Sequence, residues 1–169
     1  MKPFFYKEPI LRWFEQNEAR METISDRIWE FAEIKFEEAQ SSSLLADTLE
    51  TSGFSVERGI AGMPTAFLAQ WSNGAGPIIA LLGEYDALPG LGNALSPSYE
   101  PNGKNGHGCG HNLLGVGSMA AALSLKETMT QPGVCGTIRY YGCPAEEGGS
   151  AKVFMVRDGY FKDIDAIVR

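Results

Sequence analysis

Apolar residues recur at every third or fourth position along the first part of the chain, and charged residues fill the positions between them. This spacing is typical of an amphipathic helix and predicts a first helix over residues 8–36. Three consecutive serines then offer an N-cap, so a second helix is predicted over residues 43–51. Glu37 and Glu38 lie in the connection and are interpreted as a solvated pair.

Three segments with strand-like patterns follow, over residues 54–58, 65–71 and 77–83. The third is a continuous apolar run, which is typical of a strand that is covered on both faces of a sheet. Acidic residues come directly after it, and side chains that follow a central strand lie where α/β sheets bind their ligands. Asp86 is therefore a candidate site residue, although an aspartate shortly before a Pro-Gly pair is also a common turn former.

The second half of the chain alternates between helix and strand patterns. Residues 91–106 are rich in Gly, Pro, Asn and Ser and predict a long loop, a kind that is often functional. A helix over residues 112–129, a strand over 137–142 and a helix near 150–157 are then predicted, and a further strand begins at 164. This order of elements indicates an α/β layered domain with a mixed sheet.

Composition narrows the classes of protein that fit this fold. The 169 residues suffice for one domain or for a piece of a larger one. A formal net charge of -7 argues against a nucleic-acid surface, and no apolar run is long enough to cross a membrane. Because the N-terminus has no signal-peptide pattern and the three cysteines have no disulfide-scaffold spacing, we expect a cytoplasmic protein whose thiols are free or bind a metal.

The chemistry is concentrated in two short stretches. Residues 106–112 contain both histidines of the protein, His107 and His111, and Cys109 between them, all separated by glycines. Glycine lets this backbone bend sharply, so a thiolate and an imidazole two residues apart can point into one small volume, as ligands that zinc accepts. Glu146 and Glu147 form the second stretch. One carboxylate of such a pair can bind a metal while the other acts on water, as in a metal hydrolase.

Three motifs of this sequence resemble the M20 metallopeptidases, and within them the amidohydrolase branch. They are His-Gly-Cys-Gly-His-Asn at residues 107–112, Asp-Ala-Leu-Pro at 86–89 and Pro-Ala-Glu-Glu-Gly-Gly at 144–149. The resemblance implies a three-layer, zinc-exopeptidase-like α/β domain with a mixed sheet. It also implies a centre of two divalent metal ions, zinc or manganese. Such a centre hydrolyses the amide bond of a small, dipeptide-like substrate next to a carboxylate-bearing amino acid.

Carried over by motif, the resemblance implies a role for each candidate residue. Cys109, His111 and Glu147 would be metal ligands, and Glu146 would be the general base and acid. Asp86 would orient the ligands without contacting the metal. The resemblance gives His107, on the same loop, no clear role, and a position on the substrate side is one option for it.

Members of this family have two further ligand histidines and a small dimerisation domain, whereas this sequence contains only two histidines. We therefore expect residues 1–169 to be the N-terminal portion of the catalytic domain, inactive alone or dependent on a complementing partner. A homo-oligomer or hetero-oligomer is expected for the full-length form. Two alternatives stay open: a non-catalytic binding domain, and a cysteine hydrolase with Cys109 as nucleophile and His107 or His111 as base.

Overall fold

The computed structural model describes residues 7–130 and 133–169, and their main elements are four helices of seven or more residues and five strands. Two shorter helical turns, Ile60–Gly62 and Glu146–Gly149, are not numbered. The helices are α1 (Lys7–Phe31), α2 (Ala39–Thr51), α3 (His111–Met129) and α4 (Ala151–Arg157). The strands are β1 (Ser55–Arg58), β2 (Phe67–Ser72), β3 (Ile78–Glu84), β4 (Thr137–Cys143) and β5 (Ala166–Val168). Every helix and strand that the sequence predicts is therefore present, with shifted ends.

The five strands form one mixed sheet in the order β1-β2-β4-β3-β5. β2 is antiparallel to both β1 and β4, whereas β3 is parallel to both β4 and β5. The register of the parallel pair places Glu84 beside Cys143, so β3 and β4 end at the same edge of the sheet. The acidic segment after β3 and the glutamate pair after β4 therefore start from neighbouring points.

Helices cover both faces of the sheet, which confirms the predicted α/β layered domain. On one face, Leu81 and Tyr140 pack into a core with buried residues of α1, α2 and α3. On the other face, Leu82 and Tyr141 pack with Met155 of α4. Side chains of β3 and β4 alternate between these two cores, as expected for strands that are covered on both sides.

α3 approaches the end of β3 very closely, and this contact positions the first residue of the helix. A Cβ atom at Gly115 would lie 2.4 Å from the carbonyl oxygen of Glu84, so a larger residue does not fit there. The buried Tyr140 hydroxyl donates a hydrogen bond to the Gly115 carbonyl at 3.1 Å. Consequently His111, at the start of α3, lies against the segment that follows β3.

The predicted first helix is too long, because α1 ends at Phe31. The backbone turns left-handed at Ala32, with φ of 42°, and Ile34 pairs with Ala87 as an isolated bridge. Ile34 continues the apolar spacing of the helix because it packs as an extended residue. Periodicity alone does not distinguish these two cases.

The second helix begins at Ala39, four residues before the predicted start, because a carboxylate rather than a serine caps it. Glu33 accepts hydrogen bonds from the backbone N–H groups of Gln40 and Ser41, both at 2.9 Å. The interpretation of the Glu37–Glu38 pair as solvated is wrong for Glu38, which is fully buried. Among the described residues, no helix combines the length and apolarity needed to cross a membrane.

Candidate metal centre

Two short segments carry the candidate ligands. We call residues 106–111, which end at the first residue of α3, the glycine loop, and residues 145–150 the glutamate turn. Asp86, just after β3, contacts both: its Oδ1 lies 3.0 Å from His111 Nδ1, and its Oδ2 accepts the N–H of Glu147 at 2.8 Å. A carboxylate that binds one ring nitrogen of a histidine fixes the ring and leaves the other nitrogen for a metal.

The structure brings together the three residues that the resemblance implies as ligands. One donor atom each from Cys109, His111 and Glu147 lies within 4.8 Å of the other two. Donor atoms around a single zinc ion are roughly 3–4 Å apart, given metal–ligand bonds of about 2.0–2.3 Å. The separations in this cluster, at most 4.8 Å, are close to that spacing. Sulfur, nitrogen and oxygen donors together suit zinc, and the carboxylate also suits manganese.

The electrostatics of the pair formed by Asp86 and His111 favour charge on both. Burial alone would lower the pKa of His111, but the hydrogen bond to Asp86 and the nearby Glu84 carboxylate raise it above the ordinary value. Burial alone would raise the pKa of Asp86, but the hydrogen bonds to His111 and to the Glu147 N–H lower it. The carboxylates of Asp86 and Glu84 therefore favour positive charge at His111, as a proton on the ring or as a divalent cation beside it.

Cys109 lacks the properties of a catalytic nucleophile. Its hydrogen bond to the Glu147 carboxylate raises the pKa of the thiol, and Glu146 and Glu84 raise it further. A reactive cysteine requires the opposite shift, toward the thiolate. These contacts argue against the cysteine-hydrolase alternative.

The two glutamates of the glutamate turn have different surroundings. Glu147 is held through its backbone by Asp86 and lies beside Cys109. Glu146 places Oε2 3.8 Å from His111 Nε2, and its side chain remains 30% exposed. Glu146 can therefore reach the free ring nitrogen of His111 and the solvent at the same time, which is the position that an acid–base group needs.

Sequence reasoning missed Glu84, the last residue of β3. It is fully buried, and its Oε2 lies 3.4 Å from His111 Nε2 and 3.0 Å from an Arg169 nitrogen. Its other carboxylate oxygen pairs with Lys152 of α4. The sequence could have indicated Glu84 through its position two residues before Asp86, because side chains two residues apart in extended chain point to the same side.

His107 lies on the glycine loop but points to the scaffold. Its Nε2 is 3.0 Å from the carbonyl oxygen of Ile28 in α1, a contact that ties the loop to that helix. Burial lowers the pKa of His107, which favours the neutral ring. The structure thus gives His107 an anchoring contact, and the option of a position on the substrate side stays a prediction.

Known proteins match the chain in sequence. The family model described as Peptidase family M20/M25/M40 matches residues 80–169. A subunit of p-aminobenzoyl-glutamate hydrolase from Escherichia coli (strain K12) is 50% identical over 155 residues, which are 90% of this chain and 32% of that protein. Xaa-Arg dipeptidase from Mus musculus is 34% identical over 161 residues, which are 88% of this chain and 34% of that protein. The chain thus spans about a third of the length of these curated relatives.

Solved structures share the fold at lower identity. A dinuclear metal-binding peptidase of the M20 family from Bacillus subtilis matches with a TM-score of 0.77 and 22% identity, over 90% of this chain and 42% of that chain. The aminobenzoyl-glutamate utilization protein from Klebsiella pneumoniae matches with a TM-score of 0.70 and 20% identity, over 94% and 44% of the two chains. The predicted fold class is therefore confirmed.

Proposed function

Because the chain belongs to peptidase family M20/M25/M40, we propose that it carries part of the active site of a metal-dependent amidohydrolase. The observation that supports this most directly is the convergence of Cys109, His111 and Glu147, whose donor atoms lie within 4.8 Å of one another. These three residues come from two segments that are far apart in sequence. Asp86 contacts both segments, which is the arrangement expected of a built site rather than a chance cluster.

The proposed roles follow from the contacts. Cys109, His111 and Glu147 would hold a divalent ion, and Asp86 fixes the His111 ring through Nδ1 so that Nε2 can face the ion. The ion would supply Lewis acidity toward water and toward the carbonyl of the scissile amide. Glu146 takes the proton from the attacking water as the new C–O bond forms. It then delivers this proton to the amide nitrogen as the C–N bond breaks.

Two ions are proposed for the complete centre. Three donor residues are enough for one ion with an open position, so a second ion needs ligands beyond Cys109, His111 and Glu147. The Bacillus subtilis relative is described as a dinuclear metal-binding peptidase, which supports this count. The thiolate favours zinc, and the choice between zinc and manganese is part of the proposal.

The proposed substrate is a small amide whose leaving group is an amino acid. Both sequence relatives support this class by their names, one a hydrolase of p-aminobenzoyl-glutamate and the other an Xaa-Arg dipeptidase. The higher identity to the first makes p-aminobenzoyl-glutamate the first compound to test. A partner chain is also proposed, because the name of that relative describes it as one subunit of a hydrolase. The three free thiols support a reducing, cytoplasmic compartment.

The metal site is tested by calorimetric titration of Zn²⁺ into the metal-free chain. We expect close to one equivalent to bind, and Cys109→Ser to weaken binding by more than about tenfold, because it removes a ligand. Cys135→Ser is the matched control, since Cys135 is also an exposed free thiol but lies outside the cluster. No zinc binding by the parent chain, or equal affinities for all three proteins, would contradict the proposed site.

The role of Glu146 is tested in a protein of the relatives' length that carries this sequence. Glu146→Gln should retain the metal and lower the turnover of p-aminobenzoyl-glutamate by about 100-fold or more, as loss of a general base does. Glu147→Gln should instead lose metal. The opposite pattern, with metal lost only in Glu146→Gln, would exchange the two roles.

A further inference from the structure

Glu38 is a buried carboxylate to which the proposed chemistry gives no role. Its side chain is fully buried, although it lies at the N-terminal end of α2, where a side chain usually faces water or caps the helix. It makes no capping hydrogen bond. Glu33 satisfies the N–H groups of Gln40 and Ser41 instead. The Glu38 carboxylate does not cap α2 and can therefore accept hydrogen bonds from other groups.

Glu38 accepts hydrogen bonds from three separate segments. Oε1 accepts the N–H of Phe36 at 2.9 Å and the N–H of Ala145 at 2.8 Å. Oε2 accepts the hydroxyl of Thr65, which is also buried, at 2.9 Å. A buried carboxylate is costly unless such bonds satisfy it. All three bonds are short and together use both oxygens.

The bond to Ala145 holds the start of the glutamate turn. Ala145 has a left-handed backbone with φ of 51°, a conformation that is unfavourable for any residue with a Cβ. Glu146 follows Ala145 directly. The N–H of the next residue, Glu147, donates a hydrogen bond to Asp86 at 2.8 Å. The N–H groups on both sides of Glu146 are thus bound by buried carboxylates that come from distant parts of the chain.

We propose that Glu38 is a positioning residue that fixes the glutamate turn, so that Glu147 faces Cys109 and His111 while Glu146 faces His111 Nε2. The expected effect of Glu38 on metal affinity rests on the proposed function. The hydrogen bond by which Glu38 holds the glutamate turn does not. Without the Glu38 carboxylate, the N–H of Ala145 has no acceptor and the left-handed turn relaxes. Glu147 then leaves the other two ligands.

Two readouts test this proposal on the 169-residue chain: hydrogen exchange of the Ala145 and Glu147 amides, and affinity for Zn²⁺ alone. Glu38→Ala should speed exchange of the Ala145 amide by about tenfold or more and weaken Zn²⁺ binding by about tenfold. Glu38→Gln should stay within about threefold of the parent in both, because its amide oxygen still accepts both N–H groups and its NH2 can donate to Thr65.

Glu33→Ala is the matched control, because it removes a carboxylate that also binds the start of α2 but does not touch the glutamate turn. It should lower the melting temperature while leaving the Ala145 amide and the Zn²⁺ affinity within about threefold of the parent. Equal effects of Glu33→Ala and Glu38→Ala on both readouts would overturn the proposal, since Glu38 would then have only a general structural role.

If Glu38→Ala does not fold, Glu38→Asp decides the question. Aspartate is a good N-cap residue and retains the charge, but it is one methylene too short to span Phe36, Thr65 and Ala145. Fast exchange of the Ala145 amide in Glu38→Asp supports the proposal, and parent-like exchange overturns it. If the parent binds no Zn²⁺, the proposed metal site fails, and the exchange data alone still judge the positioning role.

Discussion

The glycine loop and the glutamate turn supply ligands to one cluster, but they reach their shapes by different means. The glycine loop is closed by backbone hydrogen bonds: Leu88 and Gly106 exchange two bonds of 3.0 Å, and the N–H of Gly110 donates to the carbonyl of His107 at 3.1 Å. Its positive φ, 80°, falls on Gly110, which tolerates it. The sharp turn of the loop at Gly110 is therefore determined locally, although His107 also ties the loop to Ile28 of α1.

The glutamate turn is not determined by local contacts alone. Besides Gly148, positive φ values fall on Ala145 and Ser150, which tolerate them poorly, at 51° and 54°. Its shape is held by hydrogen bonds to Asp86 and Glu38, which lie 61 and 107 residues away from their partners in sequence. The two halves of one site therefore depend on different residues for their conformation. The glycine loop depends mainly on its own glycine at position 110, whereas the glutamate turn depends on carboxylates that are distant in sequence.

The Asp86 carboxylate binds both halves, so its removal should have the largest effect. Asp86→Ala leaves His111 Nδ1 and the Glu147 N–H without their buried partner. We expect a loss of about 3 kcal/mol in the free energy of unfolding, measured by urea denaturation, and a loss of about 100-fold in Zn²⁺ affinity.

The control for that experiment is Asp47→Ala. Asp47 also pairs with a cation, Arg58, at 2.8 Å, but its side chain is 66% exposed. Such an exposed pair contributes less than about 1 kcal/mol. Equal losses of unfolding free energy in Asp86→Ala and Asp47→Ala would contradict the proposal that Asp86 holds both segments. Faster hydrogen exchange in only one of the two segments of Asp86→Ala would contradict it as well.

The same contrast explains what the sequence predicts and what it does not. The buried strand β3, the helix α3 and the pairing of Cys109 with His111 follow from local patterns of apolar residues, glycines and metal-binding side chains. The choice of Glu147 rather than Glu146 as the third ligand came from the family resemblance. Glu38 and Glu84 were missed because their partners are remote. A charged residue in a connection has the same local pattern whether it faces water or a buried N–H group.

The second prediction concerns backbone conformation. Removing a glycine from the glycine loop should lower the free energy of unfolding, whereas adding one to the glutamate turn should raise it. Gly110→Ala introduces a Cβ at φ of 80° and should cost about 1 kcal/mol, although the Cβ itself meets no atom within 4 Å. Ser150→Gly relieves φ of 54° at an exposed position whose side chain makes no capping bond, and should gain about 0.5 kcal/mol.

Urea denaturation of the metal-free chain measures both changes, so that altered metal binding does not enter. Each variant serves as the control for the other, because both change a single left-handed residue at the start of a helix. A loss of stability in Ser150→Gly as large as that in Gly110→Ala would show that the glutamate turn is not strained at Ser150.

The smallest expected effect is a pH dependence of the free energy of unfolding that arises from Glu38, which binds the glutamate turn and not the glycine loop. Burial raises the pKa of Glu38 above its ordinary value of 4.5, and the hydrogen bonds from Ala145 and Thr65 only partly oppose this. A raised folded-state pKa means that the stability contribution is complete below pH 4.5 and is lost as pH rises through the folded-state pKa. Glutamine does not titrate, so Glu38→Gln should be free of this loss.

The free energy of unfolding of Glu38→Gln minus that of the parent should therefore be constant below pH 4.5 and become more favourable to the variant above it, by less than about 1 kcal/mol. Urea denaturation at a series of pH values measures this difference. The Gly110→Ala difference is the control and should not change with pH, because no titrating carboxylate is added or removed. A Glu38→Gln difference that turned against the variant as pH rises would mean that the three hydrogen bonds outweigh burial. Glu38 would then stabilise the glutamate turn chiefly as an anion.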